Sequence, residues 1–403
     1  MSTTVDPRFA GLLDAARAVQ PRTVALRRQV HRHPEQGLDL PVTQAAVLSA
    51  LADLPLKITK GERTSAVVAV LEGAKPGPTV LLRGDMDALP LREDTGLDYA
   101  SEVDGTMHAC GHDTHIAMLA SAARLLCERR ADLAGQVVFM FQPGEEGQHG
   151  ARYMLEEGLL DAAGRRVEKA LAIHITSTLR TGVITCRPGP IMASADTFHV
   201  TVTGRGGHGG MPHDAIDPVP PTAAMVGALQ TMVARRISVH EPAVVTIAHL
   251  IAGTTTNIIP ETALLEGTIR TLSEATRTLV HKEIRQVCDH IAAAHGCTSD
   301  VTIVPGYPVT VNDEQVAPHV LDLATKAIGP TWSEPMLDPL MGAEDFSYVL
   351  EQVPGAMAFL GACPPEVDLA NAEANHSNRV LFDDTAMEHG VVLYTAFALD
   401  ALR

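Results

Sequence analysis

Apolar positions in the first half of the chain follow two different periods. From about Asp6 to Val30, and again from Thr43 to Leu51, they recur every three or four residues, which predicts amphipathic helices. Apolar runs follow at SAVVAVL (65–71) and TVLLRGDM (79–86). The next helix is expected to start near Asp113, with Met118, Leu119, Ala122, Leu125 and Leu126 along one face. GQVVFMF (135–141) and KALAIHI (169–175) read as two more buried strands. Helices alternating with such strands predict an α/β layer, a largely parallel mixed sheet with helices on both faces. Ligands of these sheets collect at the carboxyl ends of the strands. Asp85 and Asp87 follow one strand, Glu145 and Glu146 follow another, and His174 is expected to end a third.

The pattern changes near RPGP, residues 187–190. Phe198, Val200 and Val202 then alternate with Thr197, His199, Thr201 and Thr203, the period of a half-exposed antiparallel strand. AVVTIAHL (243–250) and ALLEGTIRTL (263–272) predict further strands, with helices at about Pro218 to Arg236 and Ser273 to His295. The second helix opens on a serine and has Gly296 just past its end. A small α+β domain over residues 189–304 is therefore expected, inserted into a discontinuous first domain of residues 1–188 and 305–403. The length of 403 residues suits two hydrophobic cores.

Composition narrows the function. Forty-six per cent apolar and 20% charged residues describe a globular chain with no run long enough to predict a membrane span. A net charge of −17 would repel nucleic acid and anionic membranes, which leaves a small molecule as the expected partner. The N-terminus lacks the basic start and continuous apolar core of a secretory signal, and the six cysteines form no CxxC pair. Reduced thiols and a cytoplasmic location are expected.

The densest chemistry is MHACGHDTH, residues 107–115. Imidazole, thiolate and carboxylate bind zinc-like ions, and His108, Cys110, His112, Asp113 and His115 offer all three. Further motifs follow in order around it: RGDMDALP (83–90), FQPGEEG (141–147), LAIHI (171–175), GRGGHGGMPH (204–213), TNIIPETALLEGTIR (256–270), MGAEDFS (341–347) and NHSN (375–378). Together, over nearly the whole chain, they resemble the M20 metallopeptidase family, and most closely its amidohydrolase branch of hippurate hydrolases, aminoacylases and indole-acetyl-amino-acid hydrolases.

That resemblance implies two divalent metal ions per subunit, of manganese, zinc, cobalt or nickel, held by Cys110, His112, Glu146, His174 and His376. Glu145 matches the family's general base, acting on a water held by the metals, while Asp87 and Asp113 match carboxylates beside the site. The inserted domain would be a ferredoxin-like lid and dimerisation domain whose His208 stabilises the oxyanion, with Asn257 and Arg270 holding the substrate. A homodimer or homotetramer is implied. The reaction implied is hydrolysis of an N-acyl or N-aroyl amino acid to a carboxylate and a free amino acid.

The residue types suit this chemistry on their own. A pair of metals polarises an amide carbonyl and lowers the pKa of water, so Glu145 need only move a proton to the departing nitrogen. Arg270 can grip a substrate carboxylate with its two-pronged guanidinium. Other readings are a dipeptidase or carboxypeptidase using the same metals, a cysteine amidase with Cys110 as nucleophile, and a non-catalytic binder of acyl-amino acids. Asp85, Asp87 and Asp113 have an alternative reading as groups that orient neighbours, and His31, His33 and Glu35 read as packing near the rim. His108, His115 and His149 are not expected to be ligands, and Glu344 and Asp345 have either a structural or a direct role. The chain departs from the family at ITSTLRTG (175–182), where relatives carry an apolar, proline-containing loop beside the substrate, and at PEQGLDLPVT (34–43).

Overall fold

The computed structural model describes residues 6–403, so the first five residues of the N-terminal stretch read above lie outside it. The chain divides into two compact units. One combines residues up to Ile191 with Val311–Asp338 and Tyr348–Arg403, and the other combines Met192–Thr310 with Pro339–Ser347.

The first unit is built on an eight-stranded sheet. Its strands include β1 (Lys57–Lys60), β2 (Val67–Glu72), β3 (Lys75–Asp85), β4 (Ala134–Gln142), β5 (Lys169–Arg180) and β6 (Ile184–Cys186). The order is β1, β2, β4, β3, β5, Gly355–Cys363, β6, Ser333–Pro335. The four central strands, β4, β3, β5 and Gly355–Cys363, run parallel, while β1 with β2 and β2 with β4 are antiparallel. Every residue from Thr79 to Asp85 and from Gly355 to Cys363 is buried, as strands covered on both faces require.

Helices α1 (Leu12–Arg32), α2 (Pro41–Leu51) and α3 (His112–Glu128) pack with Met387–Ala401 and Val316–Ile328 around this sheet. The first predicted helix starts later than its periodicity suggests, because Asp6 caps a separate 3-10 turn at Pro7–Phe9 and Gly11 is left-handed before Leu12. Glu35 caps α2, its carboxylate accepting the Thr43 N–H at 2.8 Å and the Thr43 hydroxyl at 2.9 Å. α3 begins directly after Gly111, whose φ is +83° and whose missing Cβ would stand 2.4 Å from Ile175 Cγ2. Only glycine fits both demands.

One expectation fails here: His174 does not end its strand. β5 runs on to Arg180, because ITSTLR keeps pairing with Gly361 and Cys363 through an irregular register. Pairing of β3 with β5 stops at Arg83 and Ala172, so His174 lies where its neighbour has already departed.

The second unit is a four-stranded antiparallel sheet in the order Ala243–Ala252, Thr262–Thr271, Asp196–Thr203, Thr298–Pro305. With helices Val219–Arg236 and Glu274–Ala294 it has the β-α-β-β-α-β connectivity of a split βαβ, ferredoxin-like unit. Phe198, Val200, Val202, Leu265 and Ile269 are fully buried against Met225, Leu229, Val280 and Ile284. Ser273 caps the second helix by accepting the Thr276 N–H. No described helix is long and apolar enough to cross a membrane.

Candidate metal centre

The carboxyl ends of the parallel strands converge as strand geometry demands. β3 ends on Asp85 and leads into Asp87, β4 leads into Glu145 and Glu146, β5 carries His174, the turn before α3 supplies Cys110, and α3 opens on His112. The C-terminal loop adds His376, whose φ of +71° is unusual for a non-glycine residue.

Cys110 is the hub. Its Sγ lies 3.4 Å from His174 Nε2 and 3.2 Å from His376 Nε2, and His376 Nε2 is 3.3 Å from Glu146 Oε1. His112 Nε2 stands 4.0 Å from Glu146 Oε1. The donor atoms form overlapping triads, Cys110 with His112 and His174, Cys110 with Glu146 and His376, and His112 with Glu145 and Glu146, each within 4.8 Å. All six residues read from the sequence as ligands or base in this region therefore come together.

The imidazoles are turned toward that space by their other nitrogens. His112 Nδ1 donates to the Asp87 carbonyl at 2.8 Å, and His174 Nδ1 donates to the Ile175 carbonyl at 2.7 Å. Both Nε2 lone pairs are left facing the thiol and carboxylates. His112 Nε2 is buried without a hydrogen-bond partner. Buried polar atoms are expensive to leave unpaired, and a thiol, three imidazoles and a carboxylate fit a soft-to-borderline divalent cation.

The carboxylates around the cluster have separate duties. Asp87 is 1% exposed, and its two oxygens accept the N–H groups of Glu145 and Glu146, each at 2.9 Å. This bond pair holds both acidic side chains in one loop. Asp85 accepts His115 Nδ1–H at 2.5 Å while His115 Nε2 accepts the Ile175 N–H at 2.8 Å. His115 is thus a neutral brace between β3 and β5, in line with burial pushing its pKa down despite Asp85. Burial would raise Asp85, but Arg83, with His112 and His115, holds its carboxyl well below the usual range. Burial likewise opposes a charge on His112, and Asp85 and Cys110 outweigh it to lift the imidazole well above its usual value. His174 is pushed well below, by burial and then by His115. Hydrogen bonds with Cys110 and Glu146 raise His376 to about 10.

Asp113 points away from the metal cluster into a buried ion network. Its Oδ2 accepts Arg27 Nε at 3.0 Å and lies 2.9 Å from His31 Nδ1, while His31 Nε2 is 3.3 Å from Glu93. Arg27 also bonds Asp384 and the Phe382 carbonyl. Arg27 and Glu93 were not anticipated from the sequence. The available signal was Arg27 itself, four residues from Thr23 and from His31 on the inward stripe of α1.

The second unit positions its own candidates. His208 sits on the short strand Gly207–His208, paired with Ile258–Ile259, and is exposed. Its Nδ1 accepts the Gly210 N–H at 3.0 Å, so Nε2 carries the proton of the neutral ring. Asn257 is exposed beside it, its carbonyl accepting the Gly209 N–H at 2.9 Å. Arg270 lies half-buried on Thr262–Thr271, where burial lowers its pKa and Asp196 opposes that shift. Along the same face, Glu266 bridges His199 and His249, at 2.7 Å from each Nδ1.

Comparisons with known proteins agree with this architecture. Residues 81–400 match the model of Peptidase family M20/M25/M40. The chain is 36% identical to thermostable carboxypeptidase 1 of Saccharolobus solfataricus, over 96% of this chain and 97% of that protein. It is 37% identical to N-acetylcysteine deacetylase of Bacillus subtilis, over 86% of this chain and 90% of that one. The solved structure of Bacillus subtilis YXEP, described as a dinuclear metal binding peptidase from the M20 family, superposes with a TM-score of 0.81 at 32% identity, covering 96% of this chain and 99% of that one. Fold and sequence define a hydrolase, and the chain belongs to the M20 peptidase family, in its amidohydrolase branch.

Proposed function

We propose that this chain is a binuclear metal-dependent amidohydrolase that cleaves N-acyl or N-aroyl amino acids into a carboxylate and a free amino acid. The observation that carries the reading is the cluster of Cys110, His112, Glu146, His174 and His376, with the buried and unpartnered His112 Nε2, beside Glu145. Those five residues would hold the ions. The chemistry that the ions supply when bound is polarisation of the amide carbonyl and acidification of water.

The chain's own residues do the rest. Asp87 fixes the loop so that Glu146 can ligate while Glu145 takes a proton from water and delivers it to the departing nitrogen. The Nε2–H of His208 suits an oxyanion, and Asn257 beside it can orient the substrate amide. Arg270 makes no ion pair among the described residues, so its guanidinium is free to receive a substrate α-carboxylate. Asp113, buried in its own ion network, secures the N-terminus of α3 and thereby His112. The open edges of the second sheet, Ala243–Ala252 and Thr298–Pro305, would suit pairing in a homodimer.

The experiment is turnover of the metal-loaded protein, with Glu145→Gln alongside, against acetyl- and benzoyl-amino acids and dipeptides. Wild type is expected to release amino acid from an acyl-amino acid, to lose activity to a chelator, and to exceed the variant about 10²–10⁴-fold. Chelator-proof turnover overturns the reading. The Saccharolobus relative's name favours a second reading as a carboxypeptidase, which preferential cleavage of the dipeptides would select.

A further inference from the structure

The residue before His376 has a side chain whose partners the reaction does not use. We propose that Asn375 is a positioning residue of the metal centre, its carboxamide setting the relative placement of Cys110, His174 and His376. The inference rests on the binuclear reading above.

Asn375 Nδ2 donates to the Cys110 carbonyl at 3.2 Å and to the Ile175 carbonyl at 3.0 Å, and its Oδ1 accepts the Ser177 N–H at 3.3 Å. One amide therefore ties the turn that carries Cys110 to the strand that carries His174, from the loop that carries His376. No sheet pairing supplies this tie from the β3 side, since β3 and β5 part at Arg83 and Ala172, before His174. The Ile175 carbonyl is shared: it accepts both Asn375 Nδ2 and His174 Nδ1, one donor for each lone pair. Releasing the asparagine frees that peptide to rotate, and with it the ring orientation of His174.

The neighbouring backbone points the same way. His376 is held at a φ of +71°, with its N–H donated at 2.9 Å to the carbonyl of Ala109, the residue before Cys110. A side chain serving only its own turn would bond within the loop, whereas Asn375 reaches two other segments of the site.

The test uses Asn375→Asp, which keeps shape and an acceptor but sets a carboxylate oxygen against two carbonyls, and Asn375→Ser, which removes the bonds without adding charge. The metal-free fold is followed by circular dichroism, ion affinity by chelator competition, and the Cys110 thiolate by the near-ultraviolet charge-transfer band of the Co²⁺-loaded protein. We expect both variants to fold, to bind at least one ion about 10–100-fold more weakly than wild type, and to shift or weaken the band. Folded variants with wild-type affinity and band overturn the proposal and leave the binuclear reading intact. Wild type that binds no ion overturns that reading itself. Loss of the metal-free fold in both variants also overturns the proposal, because Asn375 would then serve folding and not the site.

Discussion

Replacing Asp87 by asparagine isolates the device that aims the two glutamates. The buried carboxylate gives one oxygen to each of the Glu145 and Glu146 N–H groups at 2.9 Å, while its backbone carbonyl separately holds His112. Asparagine keeps the shape, the backbone carbonyl and one oxygen, but presents an NH₂ to the other N–H. A buried donor left without a partner costs about 1–3 kcal/mol, and the surviving bond loses its charge assistance, about 1 kcal/mol more. Asp87→Asn should therefore destabilise the loop by about 2–4 kcal/mol in the metal-free protein, read by urea unfolding of the first unit. Relaxation of the loop would displace Glu146 and Glu145, so ion affinity and kcat should each fall about 10–100-fold. A variant with wild-type unfolding, ion affinity and kcat would refute the argument and make the carboxylate a bystander.

Three other outcomes follow from the same geometry. Burial pushes the His31 imidazole down, but Asp113 and Glu93 outweigh it and lift its pKa from 6.5 to about 8. A raised folded pKa stabilises fully below about 6.5 and is lost as pH rises through about 8. At about 1.4 kcal/mol per pH unit this is about 2 kcal/mol, and His31→Gln should flatten that slope, whereas a slope shared by both proteins would contradict it. Arg270→Lys should raise KM about 10–100-fold for substrates with a free carboxylate and leave ion content unchanged. Equal effects on the methyl ester would sink that assignment. His208→Ala should lower kcat about 10²–10³-fold with both ions still bound, and ion loss on that change would move His208 out of the oxyanion role.

Local pattern made much of this legible. The apolar runs ending at Asp85 and Phe141 identify buried parallel strands, and the rim rule then gathers Asp87, Glu145 and Glu146 without any view of the fold. Alternation along Phe198, Val200 and Val202 sets the inward face of the second sheet. What stayed hidden depends on partners distant in sequence. The extension of β5 past His174 is decided by the strand Gly355–Cys363, which lies nearly two hundred residues away. The His115 brace exists only because Asp85 and Ile175 are brought to opposite sides of one ring. Arg27 looks like a surface residue by type, and only its pairing with the buried Asp113 and with Asp384 explains its inward place. Asn375 likewise gave no signal beyond its position beside His376.

The central claim is that five side chains hold two ions, and metal content per chain tests it most directly. After reconstitution and removal of free metal, elemental analysis should find two divalent ions in the wild type and fewer in Cys110→Ser and His174→Ala. Absence of bound metal in the wild type, or full retention of both ions by the two variants, would contradict the account.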